Sequence, residues 1–132
     1  MPIRIAITIL CGVGLYTALF MLAKTRADER GELTEPSVVQ SSRARLIGPP
    51  NALLGTWYYP LAALGVWAAW LLHQPWLVLA VAIVSLAPAI FSIVLAHSLL
   101  FITKRACPFC WTAHANNWLL PPLLFWLFKI SY

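Results

Sequence analysis

Two long apolar stretches, Asn51–Leu72 and Pro75–Ile102, follow one another without an Asp, Glu, Lys or Arg in either. About 20 apolar residues in a helix cross the hydrocarbon core of a bilayer. Both stretches meet that length, and a small soluble fold has no means of hiding the two together. Two further windows fit the same description. Ile3–Lys24 carries Arg4 and Lys24 at its two ends, and Cys107–Ile130 has only Lys129, near its close. Basic side chains in such places reach the interface along their apolar stems.

Composition closes off the other classes. Hydrophobic residues make up 61% of the 132 and charged residues 10%, against roughly 25% charged in a soluble domain. Disorder requires the opposite balance. Three cysteines are too few for a disulfide-stapled secreted scaffold. No basic stripe is interleaved with aromatics, so nucleic acid is not an expected partner. The net charge of +5 instead reports loop charges beside lipid headgroups, with membrane lipid as the surrounding partner.

The expected fold is therefore an all-α membrane protein. It is a single domain over 1–132, a four-transmembrane-helix bundle with spans at about 3–24, 51–72, 75–102 and 107–130. The first window reads as a retained helix rather than a cleaved signal. Its apolar run from Ile5 to Ala23 outlasts an ordinary signal core, and no small-x-small cleavage site follows it. Thr25–Pro50 reads as a polar loop holding all four acids, Asp28, Glu29, Glu32 and Glu35. Within it, Ser37–Ile47 places Val38, Val39, Leu46 and Ile47 near helical spacing, between Pro36 and Gly48-Pro49-Pro50. That pattern suits a short amphipathic helix on the membrane surface and equally an ordinary solvated loop. An even number of spans puts both termini on one side. The long loop and the short basic connection Thr103–Ala106 then share the other.

The chemistry concentrates at the mouth of the last window, in Cys107-Pro108-Phe109-Cys110. Side chains at i and i+3 share a helical face, so two thiols at this spacing close into a disulfide with little rearrangement. Pro108 suits a first helical position. A helix N-terminus, with Lys104 and Arg105 just upstream, favours the thiolate that thiol–disulfide exchange requires. A metal reading competes, since Cys107, Cys110 and His114 offer three ligands on one face, although a structural zinc site wants four. A third reading is a redox-degenerate scaffold. Cys11 stands apart: in mid-span, it lies roughly 20 Å in depth from the Cys107 end, beyond the ~7 Å Cα separation a disulfide tolerates. It reads as a buried structural thiol.

Polar residues cluster toward the same face: Asn51 opening the second window, His97 near the end of the third, and His114, Asn116 and Asn117 in the first turns of the fourth. With Trp57, Tyr58, Tyr59, Phe109 and Trp111 they compose either a flat aromatic pocket with polar anchors or a set of interhelical hydrogen bonds without a ligand.

Together these residues resemble the vitamin K epoxide reductase family. Ser41-Ser42-Arg43, then Gly48 through Asn51-Ala52-Leu53-Leu54-Gly55 and Tyr59, is similar to the family's loop-helix and second-span motif. Cys107-Pro108-Phe109-Cys110-Trp111-Thr112 is similar to its active-site motif. The resemblance implies a bundle around a quinone of the ubiquinone or menaquinone type, in a multi-pass protein of the bacterial inner (plasma) membrane. It implies that Cys107 exchanges with incoming thiols and that Cys110 is the quinone-proximal thiol. Asn51 would hydrogen-bond a quinone oxygen. Tyr59, Trp111, Ser42 and His114 complete the implied quinone site, His114 standing where vertebrate members place a tyrosine. No resident metal is implied.

Two features depart from the family pattern. Most members carry a cysteine pair in the first loop that relays electrons to the active-site pair, and this loop has none, with Pro36 at the second position and the first falling near Asp28. A partner thiol, expected on a thioredoxin-like protein, must then reach Cys107 directly. The charges also pull the other way. Lys24, Arg26, Arg30, Arg43, Arg45, Lys104 and Arg105 lie on the CxxC face and only Arg4 and Lys129 opposite. The positive-inside rule thus points the pair at the cytoplasm, whereas the family orientation puts it in the oxidising compartment, which is the orientation expected here.

Overall fold

The computed structural model describes residues 2–31, 51–98, 100–101 and 108–131, and the side chains of residues 51 and 52 are outside that description. Regular structure among the described residues is entirely helical. In chain order it comprises α1 (Pro2–Glu29), α2 (Asn51–Leu72), α3 (Pro75–Val84), α4 (Leu86–Ser98) and α5 (Pro108–Ser131). The surface-helix reading of Ser37–Ile47 lies outside the described residues.

α1 outruns its apolar window. It continues past Lys24 to Glu29, so the first residues of the expected loop are helical. Arg26 and Glu29 pair across one turn at 3.0 Å, and Arg26 sits in the last turn, where a cation meets the free carbonyls favourably. Gly31 then takes φ 70° and donates its N–H to the Asp28 carbonyl, the left-handed stop that glycine adopts at little cost.

The third apolar window forms two helices rather than one. Pro88 has no N–H to give the Val84 carbonyl and its ring crowds that turn, so the regular path breaks at Ser85, between α3 and α4. Ser85 patches the break, donating its hydroxyl to the Ala82 carbonyl at 2.6 Å and its N–H to the Val81 carbonyl at 2.9 Å. Upstream, α2 turns into α3 at His73, with φ 53°, and Pro75 opens α3.

Helix α5 is the hub, packing on α1, α3 and α4, while α2 packs on α1 and α3. α1 runs antiparallel to both neighbours. Trp67 on α2 donates its indole N–H to the Thr8 hydroxyl at 2.9 Å, and Gly55 meets Ala18. Arg4 at the start of α1 reaches Ser131 at the end of α5, while Tyr16 meets Phe109 at the start of α5. Ile7, Cys11, Val66, Val78, Ala82, Leu120 and Leu124 fill the interior. Large apolar side chains such as Ile9, Leu64, Ile93 and Trp57 cover the exterior, the distribution of a bundle whose solvent is lipid. Two stretches, Pro2–Glu29 and Pro75–Ser98, are long and apolar enough to cross a membrane.

The seams depend on small residues. A Cβ on Gly55 would lie 3.2 Å from that of Ala18, and one on Gly65 would lie 2.6 Å from Val81 Cγ2. Close backbone approach at small residues is how helices associate where apolar burial alone gives no preference.

Candidate functional site

Cys110 lies in the first turn of α5, which begins at Pro108, and it is disulfide-bonded. Cys107 and Ser42 lie outside the described residues, as does the side chain of Asn51. Thr112 returns its hydroxyl to the Pro108 carbonyl at 2.7 Å, closing the turn that carries Cys110. Phe109, the residue before Cys110, stacks on Phe20 of α1 with ring centroids 4.0 Å apart and planes within 14°. Lys24 Nζ stands 5.2 Å from the Phe20 ring, a cation–π contact at the end of the stack. The opening turn of α5 is thereby anchored to α1. A sulfur in a disulfide offers no thiolate, the form in which cysteine ligates zinc.

One helical turn beyond Cys110, on the same face, is His114. It is 5% exposed, and neither Nδ1 nor Nε2 has a hydrogen-bond partner among the described residues. Trp111 meets its ring edge-on at 5.8 Å and Trp118 lies tilted at 6.1 Å on the other side. Trp118 is itself held by its indole N–H, which donates to the Ala89 carbonyl at 3.2 Å.

Three residues further along α5, Asn117 receives the hydroxyl of Tyr59 on its Oδ1 at 2.5 Å. Its Nδ2 donates to the hydroxyl of Ser92 on α4 at 2.8 Å. Asn116, next in sequence but rotated by a residue's 100° around the helix, faces α1 instead and donates to the Leu10 carbonyl at 2.8 Å. Gly14 makes room for this meeting, since a Cβ there would overlap both the Tyr59 ring and the Asn116 amide. Tyr58 lies beside Tyr59 at 5.0 Å, its hydroxyl without a partner among the described residues. Cys11 is free and buried in the same interior.

Of the expected site residues that are described, Cys110, Trp111 and His114 share the first turns of α5, and Tyr59 joins that helix through Asn117. The two readings of the polar cluster divide residue by residue. Asn117 is engaged through both ends of its amide and Asn116 through its Nδ2, whereas both nitrogens of His114, the Tyr58 hydroxyl and Asn116 Oδ1 have no partner among the described residues. Trp57 points outward, 66% exposed, and His97 is exposed and packs on Phe101, so neither belongs to the cluster. Ser92 and Gly14 belong to it although sequence reasoning passed them over. The signal for Ser92 was a hydroxyl amid the apolar run of the third window.

The sequence matches the model of the vitamin K epoxide reductase family over residues 5–125. The chain belongs to that family. The vitamin K epoxide reductase family is membrane-embedded and couples thiol oxidoreduction to quinones. Its match runs from the start of α1 into the last turns of α5 and so includes every described element of the site. No curated protein matches the chain closely enough to stand as a relative.

The buried imidazole has a measurable consequence. His114→Leu removes two buried nitrogens that have no partner among the described residues and keeps the volume largely filled. The ligand-free protein is expected to gain stability, by about 1–3 kcal/mol. Thermal unfolding in detergent reads this directly, and a lowered midpoint would show that the imidazole is held by the protein.

Proposed function

We propose that this protein is a membrane thiol:quinone oxidoreductase that passes electrons from protein thiols through the Cys107/Cys110 pair to a quinone. The observation that carries the reading is a disulfide-bonded Cys110 one turn ahead of a buried His114 that has no hydrogen-bond partner among the described residues, in a vitamin K epoxide reductase family chain. Cys11 is free, which supports Cys107 as the partner of Cys110. In this reading α1, α2, α3 continued by α4, and α5 are the four spans. α2 and α5 have the length, 22 and 24 residues, while their Tyr, Trp, Pro, Asn and His lower their hydropathy.

The residues fit a quinone of the ubiquinone or menaquinone type. Trp111 and Trp118 supply aromatic surface on either side of His114, and His114 and Tyr58 carry polar atoms without a partner among the described residues, which suits an apolar ring ligand with oxygens to satisfy. Tyr59, Trp111 and His114 would hold it, with Asn51 and Ser42 carried over from the family motif. The bound quinone would supply the acceptor for two electrons and two protons that returns the pair to the disulfide.

The cysteine chemistry follows from exchange rules. A thiolate of a thioredoxin-like partner attacks Sγ of Cys107. The Cys107–Cys110 bond breaks, its electron pair remaining on Cys110 as thiolate. The partner's second thiol then displaces Cys107, leaving an oxidised partner and a reduced pair. The first turn of α5, with its free N–H groups, stabilises the departing Cys110 thiolate. Because the first loop contains no cysteine, the partner reaches Cys107 without an internal relay. The pair faces the oxidising side of a bacterial inner membrane.

The test is the redox state of the pair in membranes. After mild reduction, Cys107 and Cys110 are expected to take up an alkylating mass tag, and added quinone is expected to return them to the unlabelled disulfide. Cys11, 3% exposed, is expected to label only after denaturation. A pair whose labelling ignores quinone would exclude the reading.

A further inference from the structure

The first turn of a helix is its least restrained part, because its N–H groups have no partner within the helix. In α5 that turn carries Cys110, which is partly exposed and so within reach of a thiol reagent. What restrains the turn comes from α1. Tyr16, Phe20 and Lys24 recur at four-residue spacing and form one stripe of that helix. Phe20 stacks on Phe109 with ring centroids 4.0 Å apart and planes within 14°. Tyr16 adds a tilted contact to the same ring at 6.3 Å, and Lys24 Nζ stands 5.2 Å from the Phe20 ring. Phe109 lies about 100° around the axis from Cys110. Docking its ring on α1 therefore sets the azimuth of the turn and leaves Cys110 on the neighbouring face, shared with His114.

We propose that Phe20 is a positioning residue for the redox pair: by stacking on Phe109 it holds the opening turn of α5 in its disulfide-bearing conformation and so stabilises the oxidised pair over the reduced one. The inference rests on the proposed role of Cys107 and Cys110. The stack is formed with Cys110 in a disulfide. Reduction breaks the S–S bond with two electrons and two protons, and the turn loses its covalent tie. A contact made in the oxidised form and weakened when the turn relaxes favours the disulfide by the difference, as linkage requires. The worth of one aromatic pair bounds the effect at about two- to tenfold in the equilibrium constant. A stack that only packs α1 on α5 would be equally strong in both forms and would leave that constant where it is.

The measurement uses the full chain in detergent, without quinone, equilibrated anaerobically in glutathione buffers. Two glutathione thiols supply the two electrons and two protons, leaving the dithiol pair and one glutathione disulfide. An alkylating mass tag reads the reduced fraction, and the readout is the squared glutathione concentration over that of its disulfide at half-reduction. Phe20→Leu is expected to lower this value by about two- to tenfold, making the pair easier to reduce. Phe20→Tyr keeps the ring and is expected to stay at the parent value. Phe109→Leu is expected to lower it as Phe20→Leu does, and Phe20→Leu to add nothing on that background. An unmoved or raised value in Phe20→Leu, an equal fall in Phe20→Tyr, or a fall that persists in full on the Phe109→Leu background would overturn the inference. If Phe20→Leu does not fold, Phe109→Leu decides in its place. A lowered melting midpoint with an unmoved value assigns the stack to packing and likewise overturns it. A parent pair that ignores added quinone removes the thiol:quinone reading and this inference with it, whereas a quinone-responsive parent with an unmoved value in Phe20→Leu removes only this inference.

Discussion

Cys110→Ala is expected to reduce quinone-dependent thiol oxidation to the uncatalysed background while leaving the bundle folded. The disulfide at Cys110 sits at the tip of α5, where a loop of a few residues adds little to stability on the chain-entropy account. Its removal is therefore a chemical loss rather than a structural one. No second thiol stands ready to replace it. Cys11 is buried on α1, inside the helix seam, and a thiol acts in exchange only where a partner reaches it. Cys107→Ala is expected to be equally inactive, since each sulfur is one half of a two-electron couple. The assay is oxidation of a reduced thioredoxin-like substrate with quinone as acceptor, run beside a thermal melt. Activity within about tenfold of the parent, or ~1.4 kcal/mol in barrier, would move the chemistry away from Cys110.

Gly14→Ala is expected to be the most destabilising single-methyl change in the helix seams. The added Cβ would overlap the Tyr59 ring and the Asn116 amide together. Both side chains are buried and both are committed, Tyr59 to Asn117 and Asn116 to the Leu10 carbonyl. Relief by moving either one breaks a hydrogen bond that joins two helices. Overpacking costs about 1–3 kcal/mol, and each interhelical bond lost adds about 0.5–1.5 kcal/mol. Gly12 is the control. A Cβ there meets nothing within 4 Å, so Gly12→Ala is expected to gain about 0.5–1 kcal/mol from helix propensity. Unfolding midpoints of the two variants in one detergent should diverge in opposite directions, and a neutral Gly14→Ala would contradict close packing at this seam.

The helices were readable where charge and apolar length agree. Asn51–Leu72 is helical over the expected residues, and α5 begins at Pro108, the position its ring favours. Reading faltered where local chemistry overrode composition. Charges after Lys24 suggested a loop, yet the Arg26–Glu29 pair and the Gly31 stop extend α1. Pro88 was visible, but one proline inside an apolar run does not announce whether a helix bends or divides. The CxxC spacing singled out Cys110 and the aromatic-polar cluster singled out His114 and Tyr59, and the structure places the first two one turn apart on α5 with Tyr59 joined to that helix through Asn117. Which cluster members would satisfy one another was not legible. Asn116 and Asn117 are neighbours in sequence and bind different helices, a division set by the azimuth at which α5 meets α1 and α4. Among the described residues His114 is left without a hydrogen-bond partner for the same reason, and no one-dimensional pattern carries that azimuth.

The glycine seams at Gly14, Gly55 and Gly65 invert the usual map of which substitutions a core tolerates. In water a core is held largely by the aversion of its side chains to solvent, so trimming them is the characteristic injury. Against lipid tails an isoleucine or leucine is at home inside or outside, and what distinguishes the assembled state is how closely backbones approach. Enlarging a seam residue should therefore do more harm than trimming an interior one. Random mutagenesis scored for folded protein should show a ridge of intolerance to added bulk along the inner faces of α1 and α2, with comparatively shallow valleys at Leu124 and Leu127.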